Sequence, residues 1–335
     1  MKRICALPGD GIGPEVIECA VKILEAATDD VEFVHASIGQ SAYKSQGQYL
    51  PPETLELMRS CDSCLFGAVT TPKEPEYTSP VLQFRRELDL YACVRPVRTL
   101  VQTREKKPID VVIIRENSEG MYTQNEVFDD LGVTTLRRVT RKASEKIVRF
   151  AIDYAIANRR SRITCVHKSN VLKASDGLFV AIFWELLSKR LGTLEADESL
   201  VDSAAMRLVT DPGVFDVIVT LNLYGDILSD VAAGVAGGLG FAPSANIGDK
   251  HSVFEPAHGS APDIAGKGIA NPTAAVLAGA MMLRHLGMAE PATKVEKAVE
   301  GFYSAGHLTM DLGGRHGSSS FTEHTIEILE GRRTT

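Results

Sequence analysis

The sequence predicts an α/β fold, in which strands and helices alternate along the chain. Short apolar runs typical of buried strands are separated by longer segments whose apolar residues recur at helical spacing. Hydrophobic residues make up 44% of the 335 residues and charged residues 24%, a balance typical of a folded globular chain. The sequence contains no internal repeat, low-complexity segment or long linker, so composition alone locates no domain boundary.

The individual elements follow from these two periodicities. In the first helix, Val16, Ala20 and Ile23 lie on one apolar stripe, and Ile147 and Phe150 begin a similar stripe in a later helix. The predicted strands are residues 2–7, 31–36, 64–69, 110–115, 162–167 and 215–220, and the predicted helices are residues 14–28, 53–60, 143–158, 174–190, 224–237, 272–286 and 292–304.

Composition also excludes several classes of function. The formal charge of −7 argues against general nucleic-acid binding, although a local arginine cluster can still hold an anionic substrate because salt screens distant charges. The apolar run at the start is too short for a signal peptide. The stretch from Ala274 to Leu286 is interrupted by Arg284 and His285, so it falls short of the ~20 residues of a membrane span. We therefore expect no membrane segment.

The cysteines predict a reducing compartment. Six of them are scattered along the chain, which is typical of free thiols in a cytoplasmic protein. Cys61 and Cys64 form a CxxC pattern, but it follows a helix and opens a strand, the reverse of the order in redox motifs. We interpret both as structural thiols and expect a cytoplasmic location.

A glycine-rich turn follows the first strand, in the sequence "LPGDGIGP". A Rossmann turn has the pattern G-x-G-x-x-G, with an acidic residue at the end of the second strand. Here Gly9, Gly11 and Gly13 place the third glycine one residue early, and the second strand runs into His35 and Ser37 without an acid. The pattern disfavours a Rossmann site, and a tight turn that caps a strand is the alternative.

Three aspartates are candidate metal ligands. Asp226 and Asp230 are four residues apart in a helical pattern, so both carboxylates face the same way. Oxygen ligands of this kind suit Mg²⁺ or Mn²⁺. A solvated acidic face is the alternative, which the apolar neighbours Ile227 and Leu228 make less favourable. For Asp202 the pattern leaves a metal ligand and an ordinary acidic residue equally open.

Three arginines follow strand-like segments, at Arg85, Arg95 and Arg115. A guanidinium group suits bidentate recognition of a carboxylate, and a surface ion pair is the alternative for each. Arg115 ends a buried strand pattern, and ligands of α/β folds bind at the carboxyl ends of strands.

Lys168 is a candidate for proton transfer, and Tyr122 lies seven residues after Arg115. Lys168 ends another strand and is closely followed by Asn170. A lysine near a bound cation can act as a base because the cation lowers its pKa. We interpret His167 as a packed neighbour rather than a ligand.

A loop late in the chain is a candidate for the adenosine part of a cofactor. The sequence "FEPAHGSAPDIAGKGIANP" combines glycine-containing turns, small residues and Asp263. Backbone N–H groups in such a loop can hold phosphate or adenine, and an aspartate can accept hydrogen bonds from both ribose hydroxyls. A plain surface loop is equally compatible with the pattern.

Together these segments resemble the family of metal-dependent β-decarboxylating dehydrogenases, whose members oxidise isocitrate, homoisocitrate, 3-isopropylmalate and tartrate. The matching pieces span residues 8–274 in family order and read "PGDGIGPEV", "FGAVTTP", "FRRELDLYACVRP", "RENSEGMY", "HKSNVLKASDGLF", "NLYGDILSD", "GGLGFAPSANIGD" and "EPAHGSAPDIAGKGIANPTA". The resemblance implies the isocitrate/isopropylmalate dehydrogenase-like fold, which is not a Rossmann fold. It also implies a large NAD-binding domain from residues 1–97 and 241–335, a small domain from residues 98–240 with the dimer interface and metal ligands, and an active site in the cleft between them.

The resemblance further implies roles for individual residues. Lys168 would be the base and Tyr122 the acid, with Asp202 beside them, and Lys168 and Asp202 would reach the site from the partner subunit of a homodimer. The implied substrate contacts are Thr71, Ser79, Val81, Leu82, Arg85, Arg95, Arg115, Tyr122, Lys168 and Asn170. The implied metal ligands are Asp202, Asp226 and Asp230. The implied cofactor contacts are Gly9, Asp10, Gly11, Ile12, Thr71, Asn170, Glu255, His258, Gly259, Ser260, Ala261, Pro262, Asp263, Ile264 and Asn271.

The resemblance also implies the cofactor and the reaction. NADP-using members carry a lysine and a tyrosine where this chain has Asp263 and Ile264, so NAD is implied, together with Mg²⁺ or Mn²⁺. A 2-hydroxy-3-carboxy acid would be oxidised at C2 and would then lose CO₂ to give a 2-oxo acid.

The substrate is the least determined of these expectations. The segment "VTTP" resembles isocitrate and homoisocitrate enzymes, and Ser79 matches a serine that isocitrate enzymes use for the distal carboxylate. Val81 and Leu82 would equally line a pocket for an isopropyl group. We rank homoisocitrate or longer homologues first, 3-isopropylmalate second and isocitrate third. A catalytically silent regulatory subunit and a metal-dependent phosphohydrolase are the alternatives from other classes.

Overall fold

The structure, a computed structural model, describes residues 1–72, 77–101, 108–190 and 194–332. The fold is α/β, as the sequence predicts. The strands are β1 (Lys2–Gly9), β2 (Val31–His35), β3 (Ser63–Ala68), β4 (Ala92–Arg98), β5 (Asp110–Glu116), β6 (Glu126–Asp129), β7 (Gly132–Thr135), β8 (Arg162–His167), β9 (Glu195–Leu200), β10 (Val217–Thr220), β11 (Pro243–Ile247) and β12 (Ser252–Pro256). The helices are α1 (Gly13–Ala27), α2 (Gln40–Gln46), α3 (Pro52–Ser60), α4 (Pro80–Glu87), α5 (Arg141–Ala157), α6 (Ser175–Ser188), α7 (Val201–Thr210), α8 (Asn222–Ala236), α9 (Thr273–His285), α10 (Ala289–Ser304) and α11 (Ser318–Leu329).

Every predicted strand and helix is present, with ends that differ by at most three residues. The strand predicted at 215–220 begins at Val217 because Phe215 instead donates its N–H to Pro212, in a short 3₁₀ turn. The sequence analysis missed β4, β6, β7, β9, β11 and β12 and the helices α2, α4, α7 and α11.

The chain divides into two compact units. The first consists of Met1–Leu88, Gly237–Ala245 and Asp249–Thr335. Its strands lie in the order β2-β1-β3-β12-β11, with β1 parallel to β2 and β3, and β12 parallel to β3. Helix α1 packs against α9 and α11. Segments from both ends of the sequence therefore build one core.

The second unit consists of Asp89–Ala236 and Asn246–Gly248. Its strands lie in the order β4-β5-β10-β8-β9, and β6 and β7 form a separate hairpin. Strand β4 is antiparallel to β5, whereas β5, β10, β8 and β9 are parallel. Parallel strands present their carboxyl ends at one edge, so the residues that follow β5, β8 and β10 come together there.

Two findings bear on the excluded classes of function. None of the helices in the described ranges is long and apolar enough to cross a membrane. All six cysteines are buried and unbridged, and Cys61 and Cys64 lie at the end of α3 and in β3, as the structural-thiol interpretation predicts.

Candidate active site

The turn between β1 and α1 contacts the late glycine-containing loop directly. Gly9 and Gly11 adopt left-handed backbone angles, with φ of 76° and 62°. The Ile12 N–H donates to the Ser260 carbonyl at 2.8 Å. A Cβ atom on Gly11 would lie 1.9 Å from that same oxygen, so only glycine permits the approach. The first unit therefore brings together two segments of the predicted cofactor site that are separated by some 250 residues in the sequence.

Asp10, in the same turn, is engaged by backbone N–H groups. It is 8% exposed, and its carboxylate accepts hydrogen bonds from the N–H groups of Gln40 at 2.9 Å, Ser41 at 3.3 Å and Thr70 at 2.9 Å. The Thr70 hydroxyl donates in turn to Ser260 Oγ at 2.9 Å. The carboxylate thus ties the turn to α2 and to the segment after β3, where the predicted contact Thr71 is exposed.

The late loop carries a buried polar atom with no hydrogen-bond partner in the described part of the chain, His258 Nε2. Burial lowers the pKa of His258, so the ring is neutral and can offer one nitrogen to a ligand. Gly259 is exposed and Ala261 adopts a left-handed φ of 37°. Pro262, Asp263 and Ile264 form a 3₁₀ turn, in which the Asp263 carboxylate is exposed.

Asn271 is 7% exposed, and both polar atoms of its side-chain amide are hydrogen-bonded. Its Nδ2 donates to Asp311 Oδ2 at 3.0 Å, and its Oδ1 accepts from the Thr273 N–H at 3.0 Å. The sequence analysis did not identify Asp311. Its position before two glycines, in "DLGG", was the available signal.

Arg85 pairs with another predicted site residue of the first unit. Its Nη2 lies 3.0 Å from Glu255 Oε1, and both side chains are largely buried. Arg85 Nε has no hydrogen-bond partner in the described part of the chain, so an unpaired donor is available for an anionic ligand. Ser79 precedes α4, on which Val81 and Leu82 are half-buried.

In the second unit, Arg115 is held by helix α8. It is 1% exposed, and its Nε and Nη2 donate to Asn222 Oδ1 at 3.0 and 2.8 Å. Its Nη1 forms a short ion pair with Asp226. A Cβ on Gly225 would lie 2.6 Å from Arg115 Cβ, so a glycine is needed where the helix crosses the strand.

Arg95 approaches both aspartates of α8. Its Nη1 lies 3.3 Å from Asp226 Oδ1 and 3.3 Å from Asp230 Oδ1, and donates to Ser229 Oγ at 2.6 Å. The Tyr122 hydroxyl donates to the second oxygen of Asp226. Burial, with a smaller contribution from Asp226, raises the pKa of Asp230. Burial also raises the pKa of Tyr122, which keeps its proton in place.

Lys168 and Asp202 form a separate pair in the same unit. Lys168 Nζ lies 2.6 Å from Asp202 Oδ1, and this hydrogen bond lowers the pKa of Asp202. Asn170 is exposed two residues after Lys168. Within one chain, the described residues contain no group of three or more His, Cys, Asp or Glu side chains placed to hold a metal ion. The predicted metal ligands therefore occur as a pair on α8 and a single residue on α7.

The pair on α8 fits a hard divalent cation. The two carboxylates are four residues apart on one helix, and each has an oxygen 3.3 Å from Arg95 Nη1. Burial raises the pKa of Asp230, with a smaller contribution from the neighbouring carboxylate of Asp226, and a bound cation would offset both effects. Oxygen donors on a partly exposed helix face are the ligands that Mg²⁺ and Mn²⁺ take.

Comparisons with known proteins show the family of the chain. The sequence model for "Isocitrate/isopropylmalate dehydrogenase" matches residues 3–329, and the chain belongs to this family. It is 47% identical, over 98% of each chain, to the 3-isopropylmalate/3-methylmalate dehydrogenase of Methanocaldococcus jannaschii. It is also 47% identical, over 98% of each chain, to the isocitrate/homoisocitrate dehydrogenase of Thermus thermophilus. The crystal structure of isocitrate dehydrogenase from Methylococcus capsulatus superposes with a TM-score of 0.94 at 42% identity, covering 98% of this chain and 99% of that one.

The chain is therefore an oxidoreductase of the β-decarboxylating dehydrogenase family. Enzymes of this family act on small-molecule substrates and generally use a nicotinamide cofactor and a divalent metal. The relatives' names include isopropylmalate, homoisocitrate and isocitrate.

Proposed function

We propose that this chain catalyses the NAD- and Mg²⁺- or Mn²⁺-dependent oxidative decarboxylation of a 2-hydroxy-3-carboxy acid, with homoisocitrate or a longer homologue as the preferred substrate. The observation that carries the proposal is the cluster of Arg95, Arg115, Tyr122, Asp226 and Asp230 in the second unit. Two buried arginines supply positive charge for a substrate carboxylate, and two aspartates supply oxygen ligands.

The arginines and the aspartates of this cluster would bind different ligands. Arg95 and Arg115 would bind the malate-like carboxylates, and Arg85 would be the third arginine. When bound, the divalent cation would be held by Asp226 and Asp230 with Asp202 from a second copy, and it would stabilise the negative charge that develops on the substrate. When bound, NAD⁺ would supply the hydride acceptor.

Two residues would move protons. Neutral Lys168 Nζ would take the proton of the C2 hydroxyl as the C2–H bond breaks. After CO₂ has left, the Tyr122 hydroxyl would deliver a proton to C3. A phenol keeps its proton at neutral pH, so Tyr122 can hold the proton until this step. The contact between Lys168 and Asp202 must open for the lysine to reach the C2 hydroxyl, because Nζ lies 2.6 Å from Asp202 Oδ1.

The preference for NAD rests on the turn that contains Asp263. Its exposed carboxylate can accept hydrogen bonds from the ribose hydroxyls and would repel a 2′-phosphate. The neighbouring His258 Nε2 and Asn271 would complete the adenosine site in the first unit, which we propose as the NAD-binding domain.

We also propose a homodimer that uses the second unit as its interface. The hairpin β6–β7 exposes large apolar side chains, with Phe128 at 73% and Leu131 at 98% exposed. Met206 and Val209 on α7 are also exposed. Exposed apolar surface of this kind marks an interaction site, and α7 also carries Asp202, which we propose to complete the metal site of a second copy.

A second substrate class is favoured by a specific observation. Val81 and Leu82 are apolar and half-buried at the start of α4, which suits an isopropyl group, and a relative at 47% identity is named a 3-isopropylmalate/3-methylmalate dehydrogenase. The experiment is to measure initial rates of NAD⁺ reduction with Mg²⁺ or Mn²⁺ on homoisocitrate, its longer homologues, 3-isopropylmalate and isocitrate. The highest kcat/KM is expected for the homoisocitrate series. No rate on any of them would refute the proposed function, and a higher value for 3-isopropylmalate would replace the proposed substrate.

A further inference from the structure

Asn222, the first residue of α8, is buried between an arginine and a backbone carbonyl. It is 2% exposed. Its Oδ1 accepts from Arg115 Nε at 3.0 Å and Arg115 Nη2 at 2.8 Å, and its Nδ2 donates to the Glu119 carbonyl at 2.8 Å. The partners fix the orientation of the amide, because a guanidinium group only donates and a carbonyl only accepts.

We propose that Asn222 is a positioning residue that sets which edge of Arg115 meets a substrate carboxylate. This inference rests on the proposed function. A guanidinium group can bind a carboxylate in bidentate fashion at its Nε–Nη2 edge or at its Nη1–Nη2 edge. Asn222 takes the first edge, which assigns a substrate carboxylate to the second, where it would share Nη1 with Asp226. Nη1 also donates to Asp226, so this second edge lies on the side of the α8 carboxylates.

The neutrality of the Asn222 side chain matters as much as its shape. An amide oxygen orients the guanidinium group without cancelling its charge, whereas a carboxylate at the same place would form a closed ion pair with it. Arg115 already has one anionic partner in Asp226. A neutral second partner leaves more of its positive charge for the substrate.

The amide also links Arg115 to the segment that carries Tyr122. Glu119, whose carbonyl accepts from Asn222, is itself buried, and its Oε1 accepts from the Thr140 N–H at 2.7 Å. The chain then turns at Gly120, with φ of 83°, into the 3₁₀ turn of Tyr122. One side chain therefore aligns the carboxylate-binding arginine and anchors the approach to the proposed acid.

The test compares Asn222→Ala and Asn222→Asp with Thr220→Val. Thr220 is fully buried and its hydroxyl donates to the Val166 carbonyl at 2.7 Å, so the control removes a neighbouring buried hydrogen bond without touching the guanidinium group. We expect both Asn222 variants to raise the KM for the hydroxy acid on the order of ten- to a hundredfold, with the KM for NAD⁺ changed by less than about twofold. Thr220→Val should lower the thermal midpoint without this selective effect on KM.

A double-mutant cycle separates positioning from a general structural role. A lysine at residue 115 has no guanidinium edge to orient. Asn222→Ala should therefore raise the KM for the hydroxy acid much less in the Arg115→Lys background than in the wild-type chain. Additive effects, or equal rises in both KM values, would overturn the inference. Crystal structures of wild type and Asn222→Ala provide a readout independent of activity: the guanidinium group should rotate when the amide is removed. If the guanidinium group of Arg115 keeps its orientation in Asn222→Ala, the positioning role of Asn222 is refuted. If no tested substrate is turned over, only the proposed function is refuted, and the crystal structures still test the positioning role.

Discussion

Replacing Gly225 with alanine tests the close approach of helix α8 to strand β5. A Cβ atom at residue 225 would lie 2.6 Å from both Cβ and Cγ of Arg115, whereas carbon atoms pack at about 3.5–4.0 Å. Arg115 is 1% exposed, so it cannot withdraw into solvent. Overpacking costs ~1–3 kcal/mol, and two contacts this close place the present site in the upper part of that range, at about 2–3 kcal/mol. The higher helix propensity of alanine offsets about 1 kcal/mol of that cost. We expect a net loss of ~1–2 kcal/mol in the free energy of unfolding.

Calorimetry of the whole chain measures this loss. A destabilisation of this size should lower the midpoint temperature of the thermal transition of the second unit by roughly 2–8 °C. The displaced guanidinium group should also weaken binding of the hydroxy acid. The matched control is Gly213→Ala, because a Cβ there would meet nothing within 4 Å and the φ of Gly213 is an ordinary one. A Gly225→Ala variant as stable as Gly213→Ala would refute the steric reasoning.

Three further predictions follow from the described contacts. Lys168→Met should lower turnover by about 100-fold or more while equilibrium NAD⁺ binding, followed by fluorescence, is retained. Asp263→Lys combined with Ile264→Tyr should shift the ratio of kcat/KM values from NAD⁺ toward NADP⁺, because the change removes a repulsive carboxylate. Burial lowers the pKa of His167, whose side chain is nearly inaccessible. The unfolded chain therefore binds a proton first as pH falls, so the unfolding free energy should decline below about pH 6.5, and His167→Gln should flatten that decline in denaturant titrations.

Each of these has a result that would contradict it. Near-normal turnover of Lys168→Met would remove the lysine from the role of base. An unchanged NAD⁺/NADP⁺ ratio in the double variant would argue against the adenosine loop. For the pH prediction, the exposed His35→Gln serves as the control. Equal pH slopes in the two histidine variants would show that His167 is not the group responsible.

The sequence patterns predicted the elements that carry a clear apolar run or helical stripe, because periodicity is a local property, but they missed β11 and β12, which are short and fully buried. The helical spacing of Asp226 and Asp230 indicated carboxylates on one face, and both lie 3.3 Å from the same nitrogen of Arg95. The missed elements lack that local signal. Strand β9 reads "EADESL" and is only half-buried, and β4 contains Pro96 between two arginines.

The partners of the site residues could not be read from the sequence. Asn222 contacts Arg115, 107 positions earlier, and Glu119, 103 positions earlier. Asp10 was predicted to contact the cofactor, but a single carboxylate in a glycine turn does not reveal that three backbone N–H groups from two other segments bind it. Such roles depend on which segments the fold brings together, and periodicity carries no information about that.

The discontinuous first unit has a consequence for synthesis. Helix α1 packs against α9 and α11, and the Glu15 carboxylate accepts from the Ala270 N–H at 3.0 Å. A ribosome adds ~5–20 residues per second, so the apolar stripe of α1 emerges on the order of 15–60 s before α11 is available to cover it. During that interval the face of α1 that α9 and α11 later cover stays exposed on the nascent chain, where chaperones or other exposed apolar segments can bind it.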